Sequence, residues 1–241
     1  MRRLFATAAI IAAISGSAHA AGGFSDNFNS ENGGLSAQNY TDFSNWTVTA
    51  GTVDLAGPGN PWGISCFGGT GSCVNLDGVS GQSGTLTSNS FDYSAGDKVT
   101  ISFELSGNQT LFGADDFFSY VKFLVPTSII NYQFGGGFGD LYVGNISNLG
   151  GASISWVTAY NVPFTLYTTT FDVLNAGALT TSIGQGSTAG WLGANDGAGP
   201  VLDSYDLSIS SAPEPGTWAM MLLGCGLIGA ALRRRYTHSR T

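Results

Sequence analysis

Alternation with a period of two, broken by glycine, constrains this chain more than any other feature. Between residues 21 and 211 no window of twelve residues keeps a helical apolar repeat, whereas short apolar–polar alternations recur between turns rich in Gly, Ser, Asn and Thr. The clearest is Lys98 to Leu105, in which Val99, Ile101, Phe103 and Leu105 fall on one face and Thr100, Ser102 and Glu104 on the other. The same pattern predicts strands over 45–50, 51–55, 73–76, 84–90, 117–125, 129–134, 153–159, 163–173, 178–183 and 201–210, with Tyr205, Leu207 and Ile209 sharing a face of the last. Segments 45–50 and 51–55 are expected to form the first pair. The number and regular spacing of these strands predict an all-β sandwich or barrel of one domain.

The two ends of the chain read differently. Arg2-Arg3, the apolar run Leu4 to Ile14 and the Ala18-His19-Ala20 site predict a signal peptide over residues 1–20. At the other end Pro213-Glu214-Pro215 forces an extended chain that neither prolongs a strand nor starts a helix. Thr217 to Leu232 then carries no charge, and Arg233-Arg234-Arg235 closes the run. Sixteen helical residues span roughly 24 Å, short of the ~30 Å hydrocarbon core but long enough for a brief transmembrane helix with a positive-inside stop.

This order of Pro-Glu-Pro, short apolar helix and basic cluster resembles the PEP-CTERM sorting signal of Gram-negative bacteria. The resemblance covers residues 212–241. It implies export through the inner membrane, a transient membrane anchor and processing near Pro213, Glu214 and Pro215 by an exosortase. Residues 21–211 are then the cargo delivered to the surface or the medium.

The cargo is acidic. Residues 21–211 hold Lys98 and Lys122, no arginine and fifteen carboxylates, a net charge of −13. Such a surface does not neutralise phosphates, which argues against nucleic acid and anionic lipid as partners. Both histidines, His19 and His238, lie outside this stretch. Their position removes Ser-His-Asp and Cys-His catalysis and histidine-based zinc sites. Cys66 and Cys73 bracket a glycine-rich loop and, in an exported protein, predict a disulfide.

The middle of the chain carries a second resemblance. Asn45-Trp46-Thr47-Val48-Thr49, Val74-Asn75-Leu76-Asp77-Gly78, Val99 to Asn108 and Gly199 to Ile209 occur in the order found in secreted jelly rolls of galactose-binding-like type. DUF642 and choice-of-anchor domains and some carbohydrate-binding modules belong to that group. In the closing motif Ser204-Tyr205 replace the Asn-Val that usually follows the aspartate. The resemblance implies a jelly-roll β-sandwich whose first and last segments lie side by side.

Three chemistries are compatible with these residues. Asp26, Asn27 and Glu31 in an oxygen-rich segment, together with Asp203 on the last strand, would form a structural Ca2+ site if the chain ends meet. The competing reading is a solvated loop. Trp62 and Trp191, each in a glycine-rich loop, are candidate platforms for a sugar ring, whereas the remaining tryptophans are better placed in a core. Asp115-Asp116 and Glu104 are the carboxylates available to a glycoside hydrolase or lyase, but no catalytic spacing selects them, and no catalytic residue is assigned. The leading expectation is a non-enzymatic surface protein that binds or accompanies extracellular polysaccharide. A carboxylate-dependent polysaccharide hydrolase or lyase and a purely structural surface protein are the alternatives.

Overall fold

The structure is a computed structural model. It describes residues 22–79, 82–110, 114–123, 129–135, 142–143, 151–186, 197–211 and 222–228; for residues 114–157 and 159 it describes the backbone only. Residues 21–210 form one compact unit.

The strands, numbered along the chain, begin with β1 (Gly22–Asp26), β2 (Trp46–Ala50), β3 (Asp54–Ala56) and β4 (Cys73–Asn75). The short β5 (Asp77–Gly78) and β6 (Gln82–Ser83) pair with each other. Then come β7 (Thr85–Ser88), β8 (Phe91–Tyr93), β9 (Lys98–Ser106), β10 (Ala114–Phe123), β11 (Ile129–Gly135) and β12 (Tyr142–Val143). The last four are β13 (Gly151–Ala159), β14 (Thr165–Val173), β15 (Gly177–Gly186) and β16 (Val201–Ser210).

They build two antiparallel sheets of seven strands. One runs β11-β14-β9-β16-β4-β3 with β1 also on β16; the other runs β12-β13-β10-β15-β7-β2 with β8 also on β15. From β9 to β11 and from β13 to β16 each strand lies in the opposite sheet from the one before it. That interleaving wraps the sheets as in a jelly roll.

Alternation decides which face is buried. Val99, Ile101, Phe103 and Leu105 are each at most 2% exposed, as the sequence predicts, and Tyr205, Leu207 and Ile209 are buried beside them. They join Trp46 of β2, Leu86 of β7 and Leu179 and Ile183 of β15 in one core, so the sheets pack face to face. Thr181 of β15 and the Tyr205 hydroxyl share a buried hydrogen bond across that core.

One expectation is corrected. Segments 45–50 and 51–55 do not pair. Instead β2 adds to β7 and β3 to β4, in different sheets. Gly51, at φ 56°, turns the chain there, and a Cβ at that position would lie 1.9 Å from the Ser83 carbonyl oxygen. The first and last segments do lie side by side, as the resemblance implies: β1 pairs with β16 from Gly22 opposite Ile209 to Asp26 opposite Tyr205. Gly23 permits that approach, since a Cβ there would meet the Leu207 oxygen at 1.9 Å. Glycines carry no alternation, so this strand left no mark in the pattern.

The second compact unit includes residues 211–241. Within it residues 222–228 are helical and expose Leu222, Leu223, Leu227 and Ile228. Among the described residues no helix is long and apolar enough to cross a membrane. The rest of the expected transmembrane helix, and the expected signal peptide, lie outside the described residues.

Candidate functional site

The distinctive surface lies where β3, β9 and β14 meet the loops that carry the two cysteines. Cys66 and Cys73 form a disulfide with Cα atoms 5.5 Å apart, and both cysteines are buried. Cys73 opens β4 opposite Ala56 at the end of β3. The disulfide therefore ties the loop to a strand that is already fixed. Gly68 and Gly69 take positive φ inside it, leaving Phe67 at the tip, 51% exposed. The preceding turn is held by Asn60, whose amide donates to the Gly57 and Ile64 carbonyls and whose oxygen accepts from the Ile64 N–H. Residues 57–60, 64–66 and 69–71 line a shallow polar depression of about 150 Å³.

Asp203 reaches this loop from β16. The pairing of β16 with β9 shifts register between Leu202 and Ser204, so Asp203 is an extra residue that bulges from the ladder. Its Oδ2 accepts the Phe67 N–H at 2.8 Å, and it is 9% exposed. Burial pushes its carboxyl up to about 6; the Phe67 N–H opposes that shift and the nearby Glu104 charge adds to it. Glu104 of β9, opposite Ser204 of β16 and Leu166 of β14, is raised by burial as well. Its Oε2 is buried without a hydrogen-bond partner.

Apolar groups rim the two acids. Phe67 and Phe164 meet edge to face with centroids 5.9 Å apart, and Leu166 is 53% exposed. On the same loop the Ser65 N–H donates to Gln109 Oε1, and Gln109 Nε2 donates to the Ser65 carbonyl. The arrangement offers flat apolar contact beside carboxylate acceptors, loop amides and a polar hollow. It can hold a polar ring by one face and accept hydrogen bonds from its edge.

The residues singled out in the sequence are distributed as follows. Trp62 is half-buried, packed with Phe164 against the small cluster of Ala56, Ile64, Cys66, Cys73 and Val201. Trp191 lies outside the described residues, as do Pro213, Glu214, Pro215, Arg233, Arg234 and Arg235. Asp115 and Asp116 are in β10, with their side chains outside the description. Glu104 comes to Asp203, a pairing that sequence spacing does not reveal because it depends on the β16 bulge. Nothing in the sequence pattern marks Phe164 or Leu166 either, and the glycine-rich frame of Phe67 is its one sign.

Among the described residues Asp26, Glu31 and Asp203, expected with Asn27 to share Ca2+, do not converge on one point. Asp26 Oδ1 accepts the Phe28 N–H at 2.8 Å, and its Oδ2 accepts from Asn45 Nδ2 and Trp46 Nε1, both at 3.1 Å. Asn27 accepts the Asn29 N–H, and Glu31 accepts the Ser44 N–H at 3.0 Å and the Tyr40 hydroxyl at 3.5 Å. These are turn and capping bonds, for which Asp and Asn are as well suited as they are for metals. Asp203 lies instead with Cys66 and Cys73, a ligand atom from each falling within 4.8 Å of the others. The two sulfurs are bonded to each other, so they are not thiolates available to a metal.

Comparison with known proteins identifies one segment. A PEP-CTERM protein-sorting motif matches residues 211–235. That motif is the substrate signal of exosortase processing and implies an exported, surface-sorted protein. No curated protein matches the chain. Among solved structures, the enzymatically active domain of tailspike protein 4 of bacteriophage CBA120 is similar over 68% of this chain and 19% of that chain, at 15% identity and a TM-score of 0.36.

Proposed function

We propose that this is a non-enzymatic surface protein that binds extracellular polysaccharide through the face around the disulfide loop. The observation that carries this reading is the position of the loop on the sheet. Asp203 stands near the start of β16 and Ser210 ends it, one residue before the sorting motif begins. Seven strand steps at about 3.3 Å each, from Asp203 to Ser210, separate the exit of the chain from this face by roughly 23 Å. A domain delivered by its C-terminus would thus keep the face clear of its point of attachment. The galactose-binding-like resemblance of the middle of the chain supports the same reading. Phe67, Phe164 and Trp62 supply aromatic surface, and the loop amides and carboxylates supply partners for hydroxyls.

The test uses the processed, secreted protein on a panel of immobilised glycans, with reducing ends assayed in parallel. Retention without release of reducing ends is the expected result. Release of sugar would move the protein to the hydrolase or lyase class. Retention of no glycan would leave a purely structural surface protein.

A further inference from the structure

We infer that the face formed by Phe67, Phe164 and Leu166 with Glu104 and Asp203 is a docking surface for an amine-bearing glycan, a polymer containing unacetylated amino sugar. This inference rests on the glycan-binding reading above and narrows it to one ligand chemistry.

Three observations point the same way. Phe67 and Leu166 are more than half exposed on either side of the acids, leaving apolar contact unfilled. Glu104 Oε2 is buried with no donor. A buried acceptor left unpaired costs free energy that a ligand donor recovers. The third is charge. Two carboxylates share this spot, and among the described side chains no lysine serves it, because Lys98 is engaged with Asp172 at 2.8 Å. The side chain of Lys122 lies outside the description, and residues 21–211 hold no arginine. A sugar hydroxyl would supply a donor but leave the repulsion between Glu104 and Asp203 in place. An ammonium supplies donors and relieves that repulsion, and the aromatic ring beside it adds cation–π attraction. The −13 charge of the domain also draws a polycation in from a distance and repels a uronic acid polymer.

A lysine-rich peptide carries the same cation. The face favours a sugar because the loop next to Phe67 borders the shallow depression of about 150 Å³, whose exposed lining is mostly polar and includes Asn60, Ser65 and Thr70 beside Pro58, Ile64 and Cys66. Hydroxyls pair with such a lining, whereas the methylene stem of a lysine does not.

The experiment measures binding of the processed protein to glucosamine oligomers, N-acetylglucosamine oligomers of equal length and oligolysine, just below neutral pH and at low and high salt. Glucosamine oligomers should bind about tenfold more tightly than their acetylated counterparts. Glu104→Gln should erase that preference, and Asp92→Asn, an exposed acid on β8, should leave it intact. Phe67→Ala should weaken both oligomers alike. Equal losses from Glu104→Gln and Asp92→Asn would reduce the effect to general charge and overturn the inference. Oligolysine binding as tight as that of glucosamine oligomers, with the same dependence on Glu104, would overturn it in favour of a peptide. Neutral glycans bound without amine preference would overturn this inference alone. Failure of every glycan would overturn the proposed function as well.

Discussion

The indole N–H of Trp46 donates to the carboxylate of Asp26 at 3.1 Å, joining β2 of one sheet to β1 of the other. Asp26 serves two more donors, the Phe28 N–H and the Asn45 amide. Phe28 is fully buried at φ 56°, a conformation that a bulky residue adopts only when its surroundings enforce it. Replacing Asp26 with alanine strands a buried indole N–H and frees that turn. The cost should be about 2–4 kcal/mol, a fall in Tm of roughly 5–15 °C for a domain of this size. Thermal melting of the variant checks it, and a fall of a degree or so would mean that Asp26 is not an organising acceptor.

The same bonds bear on calcium. All four carboxylate oxygens of Asp26 and Glu31 already accept from protein donors. A cation at this position would have to displace them. Calcium and magnesium at equal ionic strength should therefore raise Tm by the same small amount, through screening of the negative charge. A rise specific to calcium and lost in Asp26→Asn would restore the shared site expected from the sequence.

What the sequence revealed and what it concealed divide along a physical line. Strands that bury one face write a period of two, so β9 and β16 could be read almost residue for residue. The start of β1 and the crossing from β2 to β3 are governed by glycine backbones, which leave no such period. At the candidate site the disulfide followed from two cysteines in an acidic, exported chain. The sequence marks Asp203, but as a partner of Asp26. Its true neighbours, Glu104 and the Phe67 N–H, follow from a one-residue bulge, and a bulge is a matter of register between strands rather than of composition. The turn segment from Asp26 to Glu31 was ambiguous for a different reason: the oxygens that cap turns are the oxygens that bind hard cations.

Asp203 gives the sharpest pH test. Its carboxyl stands at about 6 in the folded protein against an ordinary value of 3.8. Between those values the folded state holds the proton and the unfolded state has released it, so stability falls as pH rises from about 4 to about 6 and stays lower above. At 1.36 kcal/mol per unit the full difference is up to about 3 kcal/mol. Asparagine at 203 keeps an acceptor for the Phe67 N–H and removes the charge. Asp203→Asn should therefore be more stable than the wild type above about pH 7, by up to roughly 10 °C in Tm. Below about pH 3, a unit under the ordinary value of 3.8, the wild-type acid is protonated in both states and the two proteins should melt together. Paired melting curves across that range read both ends. A variant less stable than the wild type at neutral pH would mean that the Asp203 charge is held by a favourable partner in the protein alone. If instead the wild type recovers stability when a glucosamine oligomer is added and the variant recovers less, the missing partner is the ligand's ammonium.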